Sequence, residues 1–341
     1  MEEVDKMSHR LRTCGAVAVL LLLLTLLSSC GQPTVPDETA TDYNQYIPSH
    51  GVTAYTKDLY IFFDSGRLFY VGRSQPSQLF PLCFQADCDH KNSSCTAWLN
   101  TPSRSIYAAG DNLYYIDADK DANPALYRMD LSGGGRELVK SLNILNEESW
   151  PGISSLGYSF RVYGSYLAIE LNLLNEDSWQ HKIYLTGIDG KDEGVFLFGE
   201  EGDSDKSYIA IEFRENWLFV TEKNAADGTN TLWGYNFTTQ EAVPLVEGWD
   251  ISNCFTVQDG ILYWAVTGDG VYSMDMEKKS VTKHRSFDPV LEYGAAAYDD
   301  QYLYLTNAIR YMDSQGTVPA EERGVKVYDL QGNLQQFIPV P

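Results

Sequence analysis

The sequence predicts an all-β chain, a six-bladed β-propeller of four-stranded antiparallel blades, on three observations. One phrase returns six times, its copies are spaced like blades, and no stretch carries sustained helical periodicity. The clearest copy, Ser105 to Leu131, reads SIYAAGDNLYYIDADKDANPALYRMDL: an apolar arm, a polar turn, a second arm, a gap and a third arm, closed by RELVKSL. The second arm recurs at Leu59, Leu113, Leu167, Leu218, Leu262 and Leu303, at intervals of 54, 54, 51, 44 and 41 residues. The third follows in step as RLFYV, ALYRMDL, KIYLTGI, LWGYNF, GVYSMDM and GVKVYDL. Four short strands at such a period are the mark of a propeller blade. The 23 tyrosines suit half-buried strands better than helices.

In chain order, blade one opens near Val52 with VTAY, LYIFF, RLFYV and QLFPL, and later blades open near Ser105, Ser159, Tyr208, Cys254 and Gly294. Hairpin punctuation falls between the arms, as in Gly110-Asp111-Asn112, Gly164-Ser165, Gln258-Asp259-Gly260 and Asp299-Asp300. The propeller is expected to occupy residues 49–341 as one domain, closing on the fourth arm of blade six. Residues 1–29 read as a signal peptide: Lys6, Arg10 and Arg12 precede the short apolar run AVAVLLLLLTLL. The acidic opening Met1-Glu2-Glu3-Val4-Asp5 is unusual there and points to Met7 as an alternative start. Residues 30–48, rich in Gly, Pro, Thr and Asp, read as a flexible tether.

The run ends Leu27-Ser28-Ser29-Cys30, which resembles the bacterial lipobox. The resemblance implies cleavage before Cys30, diacylglycerol on its sulfur, and a place on the outer face of the cytoplasmic membrane. Blade five, LYWAVTGDGVYSMDM, resembles the YWTD type of six-bladed repeat, a family mostly concerned with binding. The whole chain is similar to Gram-positive extracytoplasmic lipoproteins of unknown function, through the lipobox, the blades and the phrase PLCFQADCDHKNSSC. That likeness implies no activity.

A net charge of −22 argues against nucleic acid as a partner, since phosphate contacts need a basic surface. The long connections, Cys83–Ser103, Asn143–Leu156, Asn172–His181, Gly199–Lys206, Glu222–Asn230 and Thr306–Arg323, all belong to the second-to-third and blade-to-blade set. One face of the disc is therefore expected to be elaborated and to carry the function. Trp98, Trp150, Trp179 and Trp249 lie in those connections as candidate contacts for a glycan, peptide or protein, with Arg310 and Tyr311 beside them. Trp217, Trp233 and Trp264 lie in arms and are expected in the core, and Cys254 is expected to be a buried thiol.

Cys83, Cys88, His90 and Cys95 can complete a tetrahedral zinc site, although the spacing differs from the usual finger and a disulfide between two of the thiols is an equal alternative. Asp117, Asp119 and Asp121 alternate as in a calcium loop, but Ala122 and Arg128 stand where such a loop has Gly and Glu. No nucleophile motif, zinc-protease motif or phosphate loop occurs, and His181 and His284 are isolated. The expected function is thus a monomeric binding propeller at the envelope. A carbohydrate hydrolase or lyase with acidic residues dispersed over several blades is the rival, and a scaffold component of an envelope complex is the third reading.

Overall fold

The computed structural model describes residues 53–99, 105–175, 178–189, 194–199, 205–248, 255–266, 268–288, 292, 295–299, 301–306 and 322–339. They form six sheets of four consecutive antiparallel strands, the blades of a six-bladed propeller. Blade one is β1 (Thr53–Tyr55), β2 (Leu59–Asp64), β3 (Arg67–Gly72) and β4 (Gln75–Pro81). Blade two is β5 (Ile106–Ala109), β6 (Asn112–Ala118), β7 (Pro124–Asp130) and β8 (Glu137–Ser141). Blade three is β9 (Ile153–Tyr163), β10 (Tyr166–Asn175), β11 (Trp179–Gly187) and β12 (Val195–Phe198). Blade four is β13 (Lys206–Arg214), β14 (Trp217–Asn224), β15 (Asn230–Asn236) and β16 (Glu241–Glu247). Blade five is β17 (Phe255–Gln258), β18 (Ile261–Val266), β19 (Gly270–Asp275) and β20 (Ser280–Ser286). Blade six is β21 (Ala295–Tyr298), β22 (Tyr302–Thr306), β23 (Gly324–Asp329) and β24 (Leu334–Pro339).

First strands of successive blades lie side by side, β1 by β5, β5 by β9 and β17 by β21. Fourth strands such as β4 and β20 form the exposed rim. The middle strands are apolar at nearly every position because each has a blade on both sides. On β10, Leu167, Ile169 and Leu171, with Phe160 of β9, pack toward Ile116 and Leu126 of blade two. Ala168, the residue between them, packs toward blade four with Phe213, Leu218 and Val220. Period-two alternation thus sends successive side chains to different neighbours, and both must be apolar. Trp264 is fully buried between blades four and five, as expected of an arm residue, whereas Trp217 and Trp233 are half-buried.

Several insertions expected as loops are strand. β10 and β11 continue their register through Asn172↔His181 and Leu174↔Trp179, so the Asn172–His181 segment is a lengthened hairpin. β14 and β15 lengthen likewise through Glu222↔Thr231 and Lys223↔Asn230. Blade three opens at Ile153 rather than near Ser159, after two 3-10 turns at Asn143–Leu145 and Glu147–Ser149. The reason is that a few alternating residues suffice to prolong a ladder already aligned below them.

Two buried polar latches brace the blades, one between two blades and one within a blade. Between blades five and six, buried Glu292 accepts hydrogen bonds from the Asp288 N–H at 2.8 Å and the Tyr328 hydroxyl. It also pairs with Arg285 at 3.0 Å and Lys326 at 3.6 Å. In blade two, Asp117 is buried and pairs with Arg136 at 2.5 Å. Among the described residues, no helix is long and apolar enough to cross a membrane.

Candidate functional site

The lengthened hairpin of blade three gathers polar groups that the sequence scatters. Register places Ser159 and Arg161 of β9, Glu170 and Asn172 of β10, and Trp179 and His181 of β11 on one face. Lower on that face, Ala168, Ile183 and Leu185 pack on blade four, so the polar row continues the seam between blades three and four. His181 Nδ1 donates to Asn172 Oδ1 at 2.6 Å, and the Asn172 amide donates to Glu170 Oε1 at 3.3 Å. Ser159 Oγ donates to Glu170 Oε2 at 3.4 Å. This direction of donation leaves His181 Nε2 as an acceptor. Across the seam stand Lys206 and Glu222 of blade four, paired at 3.3 Å.

Glu170 is closely surrounded by protein yet stays partly accessible. Burial raises its carboxyl above the ordinary carboxylate value, against the opposite pull of the Asn172 amide, the Arg161 charge and the Ser159 hydroxyl. Burial likewise lowers the His181 imidazole, favouring its neutral form. Trp179 closes the row, 50% exposed, its ring 6.5 Å from that of His181. Of this set the sequence singled out Trp179 as a contact and named His181 only as isolated; the register gives His181 a partner in Asn172. Glu170, Asn172 and Ser159 carry no local motif, and their one signal is alternation that persists past the expected end of the strand.

The second cluster follows blade one. The ligand atoms of Cys83, Cys88, His90 and Cys95 all lie within 4.8 Å of one another, the one such group among the described residues. The three thiols are free, and His90 Nδ1 sits 3.3 Å from Cys95 Sγ. His90 takes a left-handed φ of 56°, and Arg67 Nη1 donates to its carbonyl at 3.2 Å. Burial acts to raise the Cys83 thiol, but hydrogen bonds from Thr96, Gln85 and Cys95 outweigh it and bring the thiol well below its ordinary value. Cys95 is pushed the other way, by burial and by the neighbouring Cys88 and Cys83.

The remaining candidates fall elsewhere. Trp98 packs on Gly66 and bridges Arg67, and Trp150 donates its indole N–H to the Ile144 carbonyl at 2.7 Å, so each pins its own loop. The acidic turn of blade two is not arranged as a calcium loop. Asp117 turns inward to Arg136, and Asp119 Oδ1 accepts the N–H groups of Asp121 and Asn123, closing its own turn. Cys30, Trp249, Cys254, Arg310 and Tyr311 lie outside the described residues. The opposite face is less plain than expected. A cavity of about 430 Å³ opens there, lined by Trp217, Asp259, Ile261, Asp275 and Glu277.

Solved structures share this architecture. The chain has a six-bladed propeller fold. A structure from work on two prolyl endopeptidases aligns with 86% of this chain and 43% of its own, at 12% identity and a TM-score of 0.51. An oligogalacturonate lyase in complex with manganese aligns with 75% of this chain and 72% of its own, at 13% identity and a TM-score of 0.42. AztD from Citrobacter koseri aligns with 85% and 71%, at 11% identity and a TM-score of 0.41. These likenesses concern the fold alone. No family model and no curated protein matches the chain.

Proposed function

We propose that the protein is a binding propeller that takes a neutral glycan along the polar row at the seam between blades three and four, held at the membrane by lipid on Cys30. The carrying observation is exposed Trp179 at the end of the hydrogen-bonded row His181, Asn172 and Glu170. An indole face stacks on the apolar face of a sugar ring, while convergent donors and acceptors satisfy its hydroxyls. The net charge of −22 disfavours polyanionic glycans. Membrane attachment rests on Leu27-Ser28-Ser29-Cys30 and the tether after it.

The test is calorimetric titration with neutral oligosaccharides. Trp179→Ala is expected to weaken binding about tenfold, the loss of roughly 1.4 kcal/mol of stacking. Unchanged affinity in that variant would remove the polar row as the site. The raised carboxyl of Glu170 also favours a second reading, a general acid in glycan cleavage. Glu170→Gln separates the two: as a binding group the amide retains affinity, whereas an acid catalyst loses turnover in a reducing-end assay. The same variant has a stability signature. A carboxyl raised on folding costs stability as pH rises through the interval up to its folded value. Glu170→Gln is therefore expected to melt higher than wild type at pH 8, with the gap closing toward pH 4. A gap that widens in acid would mean the carboxylate is stabilised instead.

A further inference from the structure

We infer that Cys83, Cys88, His90 and Cys95 form a closed structural zinc site that locks the joint between blades one and two. The inference is independent of the glycan reading. Three thiolates and an imidazole are the soft and borderline donors zinc prefers in structural sites. In a tetrahedral site with bonds of about 2.3 Å the ligand atoms stand roughly 3.8 Å apart. The set already converges within 4.8 Å, so closing on the ion needs side-chain shifts of about 1 Å or less. Zinc would take the three thiols as thiolates, their protons passing to solvent.

A disulfide explains less. It would join two of three thiols, leave the third over, and give His90 no reason to turn its Nδ1 to Cys95 through a left-handed backbone. Thr96 supplies an independent sign. Its hydroxyl is buried and directed at the Cys83 sulfur. A hydroxyl donating to a ligand sulfur is the outer-shell partner that a metal-bound thiolate takes. The set also leaves no position open: Cys95 is buried and the other three are half-buried, the mark of a structural rather than a catalytic centre.

The surroundings show what the ion would hold. Between Leu82 and Leu99 there is no strand, yet both ends are sewn into blade one. Leu82 donates to the Leu68 carbonyl at 2.9 Å and Leu99 to the Gly66 carbonyl at 3.0 Å. Blade two closes from the other side. Arg136 Nη1 donates to the Trp98 carbonyl at 3.2 Å, and Gly133, with φ 85°, packs so tightly that a Cβ would stand 2.5 Å from the Leu82 carbonyl oxygen. Ala97, Trp98 and Leu99 anchor the end of this strandless loop in the core of blade one, but from Phe84 to Ser94 no side chain is fully buried, and that stretch needs an internal staple.

The experiment is metal analysis of the full-length chain purified without chelators, followed by X-ray absorption at the zinc edge. The expected result is about one zinc per chain, with three sulfur ligands near 2.3 Å and one nitrogen near 2.0 Å. Cys88→Ser and His90→Ala are expected to lose the ion and to lower Tm by roughly 5 °C or more. Chelator should cause the same fall in wild type, reversed by added zinc, which separates metal loss from misfolding of a variant. A different metal, a disulfide found by peptide mapping, or three free thiols without zinc in zinc-supplemented buffer would each overturn the inference. Trp179→Ala should keep its zinc, so failure of the glycan reading and failure of this one give different results.

Discussion

Arg136→Met is expected to cost the fold about 3 kcal/mol, a fall of roughly 6 °C in Tm, because it strands the buried carboxylate of Asp117. Arg136 does three things at once. Its guanidinium pairs with Asp117 at 2.5 Å, lies over the rings of Tyr115 and Tyr127, and donates to the Trp98 carbonyl. Removing the cation leaves a charge with no water to turn to, and that penalty exceeds what the intact pair contributes over an apolar substitute. The double variant Asp117→Leu/Arg136→Met is therefore expected to recover a large part of the loss. Thermal melts of both singles and the double form the cycle. A single-variant loss below about 1 kcal/mol would mean that water reaches Asp117 and that the latch is a surface pair.

The second large effect belongs to Glu292 and carries a pH signature. Burial acts to raise its carboxyl, but the Tyr328 hydroxyl, the Asp288 N–H, Lys326 and Arg285 outweigh burial and hold it below the ordinary carboxylate value. A carboxyl lowered on folding contributes stability that is complete above its unfolded value and disappears as pH falls through its folded value. Glu292→Gln is expected to lose about 2–3 kcal/mol at pH 7, since Arg285 and Lys326 then face a neutral amide. Below the folded value the wild-type carboxyl is itself neutral, and the two melting curves should converge. Denaturation followed from pH 7 to pH 2 checks this. A difference that stays constant across the range would assign the loss to packing.

The two latches and the polar row share a property that explains why the sequence did not reveal them. Asp117 and Arg136 stand 19 residues apart, Glu292 and Tyr328 stand 36 apart, and Ser159 and Glu170 stand 11 apart. Asp117 shows the consequence most plainly. Its spacing from Asp119 and Asp121 suggests a shared cation, but Asp117 is held inward within β6, whereas the strand ends at Ala118 and Asp119 closes the surface turn beyond it. The four residues Cys83, Cys88, His90 and Cys95 were legible because all lie in one connection, where proximity along the chain becomes proximity in space.

Local pattern accounts for the strands, for the number of blades, and for the apolar arms that each blade buries on both sides. Side chains alternate with a period of two and turns need particular residues, so both constraints are written within a few positions. Which polar groups meet was decided by tertiary structure alone. Register sets the cross-strand neighbours and blade packing sets the cross-seam ones, and one residue of slip would exchange every partner without changing composition or repeat. Glu170, Asn172 and His181 become neighbours because β10 and β11 keep their pairing beyond the core, at a seam that exists only once blade four has packed against blade three.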